Sequence, residues 1–226
     1  RDLAHVDRTV PEARRAIAEV VVPHAPKALV ETEALNVRPA IEEAFAPGSQ
    51  PTAQTGAPQD EQGQFIAAVL GETEDTWSAL FQSRGSEYQP PNLVLFDDQV
   101  QSACGFADAA VGPFYCPPDR RIYIDLKFYE QLAAEFQAPG DFAQAYVLAH
   151  EVGHHVQNLT GIASKVRAQQ ERASQSQKNQ LQVHMELQAD CYAGVWAHHA
   201  NQARQILESG DVEEAMRAAA AVGDDT

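Results

Sequence analysis

The stretch from Tyr146 to His155 reads Tyr-Val-Leu-Ala-His-Glu-Val-Gly-His-His, inside a run where apolar residues recur at spacings of three and four. Phe142, Ala145, Ala149, Val152, Val156 and Leu159 form that stripe and predict a core-facing helix. Pro139-Gly140 breaks the chain before it, Gly161 ends it, and Asp141 with Gln144 stands where a capping box would. Residues four apart on a helix share a face, about 6 Å along the axis. His150 and His154 can therefore grip one ion while Glu151 faces the ion's open side, as zinc hydrolases arrange two imidazoles and a general base. Gly153 costs about 1 kcal/mol in a helix interior, so a close approach of another element is expected there.

A chain of 226 residues is long enough for one main domain with a proper core and an appendage. Its 32 acidic residues against 16 basic give a formal charge of −16, which repels phosphate backbones and argues against nucleic acid as a partner. No apolar run reaches the roughly 18 residues needed to cross a bilayer. The chain opens on Arg1 rather than Met and shows no signal peptide, so we expect a processed or trimmed product. Any membrane anchor would then lie outside this chain.

Prolines 11, 23, 26 and 39 break the first stretch into short pieces, with residues 10–22 able to make one amphipathic helix. From Pro47 to Gln64 the composition turns to Gly, Pro, Gln, Thr and Asp, with almost nothing to bury. We expect residues 1–60 to be a segment of short helices and flexible linker, and 61–226 to be the compact domain, incomplete at its C-terminus. Within it, residues 65–70 read as a short helix ended by Gly71, and Thr73 as the cap of a second one running to Gly85. Asn92–Phe96 and Arg121–Asp125 read as strands, and residues 126–136 as a helix. Residues 162–180 are polar and predict an exposed helical excursion. Residues 181–200 predict a second strong helix, apolar over most of its circumference, burying Met185, Leu187, Cys191, Tyr192, Val195 and Trp196. Asp211 and Glu214 form a second box, opening a last helix that Gly223 ends. Between the strands, Cys104 and Cys116 bound a short loop that a disulfide could close, which would imply an oxidising compartment.

A catalytic zinc needs three protein ligands and an open position. A third histidine six residues past His154 would define a metzincin, but Thr160 stands there and Gln157 replaces the expected glycine. Cys104 or Cys116 would give a two-histidine, one-cysteine site, and His184 or His198 could also serve. Glu186 is the fourth candidate, with Asp190 four residues on in an otherwise apolar helix. Buried bare carboxylates are expensive and call for a cation or strong donors. Zinc on Glu186 and an imidazole N–H on Asp190 would supply both.

His150-Glu-Val-Gly-His-His-Val-Gln157, followed by Glu186-Leu-Gln-Ala-Asp190-Cys-Tyr-Ala-Gly-Val-Trp196, resembles the bacterial neutral zinc metallopeptidases. Gly112-Pro-Phe-Tyr-Cys-Pro117, Tyr123-Ile-Asp125 and Gly140-Asp-Phe-Ala-Gln-Ala-Tyr146 extend the resemblance over roughly residues 65–226. It implies an α+β, mainly helical, zincin-like fold, with a small β-sheet packed on two zinc-ligand helices. It also implies one zinc ion on His150, His154 and Glu186. The expected activity is endopeptidase action on a peptide or protein, by a zinc-bound water that Glu151 activates. Tyr192, His155 and His184 are the candidate oxyanion donors, and the strand around Tyr123 is a candidate for edge pairing with substrate. The alternatives are a non-catalytic zinc-stabilised scaffold and a zinc amidase acting on non-protein amides. The expected location is extracytoplasmic, secreted or membrane-anchored.

Overall fold

The computed structural model describes residues 60–108, 111–135 and 140–222. The expected helix over residues 10–22, the linker before residue 60 and the stop at Gly223 lie outside them. Asp60 opens helix α1 (Glu61–Ser83) by accepting a 2.7 Å hydrogen bond from the Gly63 amide. Gly71 does not break this helix, contrary to expectation. Thr73 lies buried in its interior and satisfies its hydroxyl on the Leu70 carbonyl, one turn back. Burial of Ile66, Val69, Leu70 and Trp77 along one side outweighs the ~1 kcal/mol that an interior glycine costs.

Strands β1 (Asn92–Phe96), β2 (Gln99–Ser102), β3 (Gly105–Asp108), β4 (Phe114–Cys116) and β5 (Arg121–Asp125) follow. The main sheet runs β1-β5-β4, with β1 parallel and β4 antiparallel to β5, while β2 and β3 pair as a separate hairpin. A Cys104–Cys116 disulfide ties the β2–β3 turn to β4. Tyr123 therefore lies on the central strand, buried and paired on both sides, and cannot offer the free edge expected of it. The edge beside the remainder of the domain is β4.

After α2 (Leu126–Glu135) comes α3 (Asp141–Leu159), buried almost all round. Its expected capping box does not form: Gly140 is the N-cap, Asp141 already sits in the first turn, and Gln144 accepts from Gln62 on α1. An acidic side chain in that turn still suits the helix dipole. Gly161, at φ +74°, ends the helix in the left-handed conformation that glycine adopts without strain.

Helix α4 (Ile162–Gln170) and a turn lead into α5 (Gln175–Arg204), opened by a capping box of Ser174 and Gln177. The helix expected from residue 181 thus starts six residues earlier, because the box supplies a better N-terminus than the polar composition suggested. Its burial is also narrower than expected. Ala189, Asp190, Ala193, Trp196, Ala197 and Ala200 form one seam, whereas Met185, Leu187, Tyr192 and Val195 are half-buried. Cys191, read as a buried small hydrophobe, is exposed: it stands about 100° round the helix from Asp190, off that seam. Four alanines in that seam let α5 lie close against α3. At Gly153 a Cβ would come 2.9 Å from the Ala189 carbonyl oxygen and 3.0 Å from its Cα.

Helix α6 (Asp211–Val222) packs on α3. Its expected box is replaced: Asp211 accepts from the Glu208 amide, and the Glu214 carboxylate lies against Gly140, where a side chain would collide with it. The architecture is α+β and mainly helical, with α3 packed on α1, α5 and α6 and reached by the sheet through β4.

Candidate metal centre

One turn apart on α3, His150 and His154 direct their Nε2 atoms at the same oxygen. Glu186 Oε2, coming from α5, lies 3.2 Å from His150 Nε2 and 3.1 Å from His154 Nε2. The three ligand atoms lie within 4.8 Å of one another, and among the described residues this is the His/Cys/Asp/Glu cluster able to hold a metal ion. Ligands ~2.0–2.1 Å from a tetrahedral zinc stand ~3.3 Å apart, so the two His–Glu separations fit such an ion.

The chemistry of the donors fits as well. Asp190 Oδ1 lies 2.8 Å from His150 Nδ1. A carboxylate accepts, so Nδ1 carries a proton and Nε2 is the nitrogen left for a metal. Asp190 also accepts from the Tyr146 hydroxyl. The second oxygen of Glu186 accepts from Gln182 Nε2 at 2.6 Å, leaving Oε2 to the histidines. Without a metal the cluster shares protons instead. Burial disfavours a charged His150, but Asp190 and Glu186 outweigh it and raise its pKa to about 10. Burial likewise pushes Glu186 up, and the hydrogen bonds from His150 and His154 overcome it, holding its carboxyl well below the usual range.

Glu151 is buried beside the cluster. Burial raises its pKa, while His154, His150 and a backbone hydrogen bond from Tyr115 on β4 pull it down. Tyr115 is itself clamped to α3. His155 Nε2 donates to the Gln89 carbonyl at 2.6 Å, so its Nδ1 accepts from the Tyr115 hydroxyl at 2.9 Å, and that hydroxyl accepts from Asn158.

Other candidates lie elsewhere. The disulfide takes Cys104 and Cys116 out of metal binding. His198 bonds Gln202, and His184 lines a cavity with Ala168, Gln169 and Arg172. Both nitrogens of His155 are occupied away from the cluster, so it cannot serve as oxyanion donor, and the Tyr192 ring packs edge-on against Trp77. Sequence reasoning gave no role to Tyr146, Gln157 or Gln182. Each lies three or four residues from one of the cluster's side chains, on the same helix face, and that spacing was the available signal.

Two histidines one turn apart on a helix, closed by a glutamate from a second helix, are a donor set suited to a zinc ion. The chain belongs to the family described as putative neutral zinc metallopeptidase, whose profile matches residues 29–226. Uncharacterized protein YpfJ of Escherichia coli K12 is 50% identical over 176 residues, covering 78% of this chain and 61% of that protein. Uncharacterized protein Mb2605 of Mycobacterium bovis is 40% identical over 182 residues, covering 76% of this chain and 59% of its own length. The chain thus spans about three fifths of the length of these curated relatives. No solved structure matches it significantly.

Proposed function

We propose that this chain is a zinc-dependent endopeptidase in which His150, His154 and Glu186 hold the ion, Glu151 is the general base and Asp190 orients His150. The observation that carries the reading is the convergence of His150, His154 and Glu186 from two helices, with a buried carboxylate one residue along from the first histidine. A purely structural metal site has no use for that carboxylate. Bound zinc would polarise the scissile carbonyl and lower the pKa of its water toward about 7. Glu151 takes the proton of the attacking water and passes it to the leaving amine. The Tyr115 amide steadies Glu151 for that exchange. An extended peptide would pair along β4, the strand whose backbone borders the base. The disulfide supports an extracytoplasmic location.

Unfolded casein is the probe. Zinc-loaded protein should cleave it, a chelator should stop cleavage, and added zinc should restore it. Glu186→Ala should lose both the metal and the activity; full zinc occupancy in that variant would remove Glu186 from the ligand set.

A further inference from the structure

His154 has a second nitrogen, and what holds it decides which nitrogen is left for a metal. Its Nδ1 lies 2.9 Å from Gln157 Oε1, one helical turn further along α3. A side-chain amide can be placed either way round, but the surroundings of this one fix it. Gln157 Nε2 lies 2.7 Å from the Met185 carbonyl, a group that only accepts, and 3.1 Å from Gln188 Oε1. The nitrogen end therefore faces α5 and the oxygen end faces His154. An amide oxygen only accepts, so His154 carries a proton on Nδ1, and Nε2, which faces Glu186, is the nitrogen left for a metal. Gln157 is fully buried, so water cannot readily take over these bonds.

We propose that Gln157 is a positioning residue that locks His154 in its Nδ1–H tautomer and ties it to the α5 backbone at Met185, the residue preceding Glu186. One buried amide thereby sets the ligand nitrogen of one helix while bonding to the backbone of the other. Asp190 orients His150 from α5, and Gln157 orients His154 from α3, so each histidine has its own acceptor. The inference rests on His154 being a zinc ligand.

Two variants of the whole chain separate orientation from simple bridging. Gln157→Met removes the acceptor for His154 and the donor for Met185, whereas Gln157→Glu keeps the acceptor and loses the donor. Zinc affinity, measured by competition with a chromophoric chelator, should fall about 10–100-fold in Gln157→Met. Gln157→Glu should recover most of that loss although its tie to Met185 is gone. Wild-type affinity in Gln157→Met, or an equal loss in both variants, would overturn the assignment. Nitrogen-15 spectra of the zinc-loaded wild type decide the matter even if Gln157→Met does not fold. Metal on Nε2 with a protonated Nδ1 supports the proposal, and the reverse tautomer overturns it. A wild-type chain that takes up no zinc would instead overturn the zinc reading itself, and this inference with it.

Discussion

Asp190 has two buried donors to satisfy, the Tyr146 hydroxyl and His150 Nδ1–H. Replacing it with alanine leaves both without an acceptor. We expect Asp190→Ala to lose about 1–3 kcal/mol of stability in denaturant unfolding and to weaken zinc binding about 10–100-fold in chelator competition. His155, next to the proposed ligand His154 in sequence, behaves in the opposite way to it. Burial pulls its pKa from 6.5 down to about 4, with the Gln89 carbonyl opposing. The unfolded chain therefore takes up a proton at higher pH than the folded one, and stability is lost as pH falls from about 6.5 to about 4. Metal-free wild type should lose thermal stability across that window more steeply than His155→Gln, and parallel slopes would contradict it. Glu186 and Asp190 were legible in the sequence because carboxylates in an apolar helix demand an explanation. Gln157, Tyr146 and Tyr115 were not, because a neutral polar side chain carries no such demand, and the backbone amide of Tyr115 has no signature in the sequence at all.

Among the elements, α3 and α5 share the metal cluster and meet at Gly153 against Ala189. Gly153→Ala should gain up to about 1 kcal/mol of helix propensity and lose more, about 1–3 kcal/mol, because its Cβ falls on backbone that cannot swing aside. A lower melting temperature together with weaker zinc binding is the expected result, since separating the helices separates His150 and His154 from Glu186. An unchanged variant would show that the contact is not limiting. The strands Asn92–Phe96 and Arg121–Asp125 and the helix of the zinc motif were readable from alternation, β-branching and a 3.6-residue period. The break expected at Gly71 failed because a local penalty of this size yields to burial on both sides of it. The place of β5 at the centre of the sheet was not readable, because strand order is fixed by pairings between distant segments rather than by any strand's own pattern.

At the scale of the molecule, the site draws on segments remote in sequence: β4 supplies the amide at Glu151, α3 the two histidines and the base, and α5 the glutamate and the orienting aspartate. The disulfide anchors the β4 end of that assembly and the Gly153 contact holds the helical end. Folding of the whole domain is therefore what creates the metal cluster, and zinc binding should in turn stabilise the domain. The decisive measurement compares wild type with Glu151→Gln, each shown by metal analysis to hold one zinc ion, for cleavage of unfolded casein. The wild type should show chelator-sensitive hydrolysis, and Glu151→Gln none above background at the same zinc content. Equal activity in the two proteins would contradict Glu151 as the general base, and no hydrolysis by the zinc-loaded wild type on casein or on an unbiased peptide library would contradict the peptidase itself.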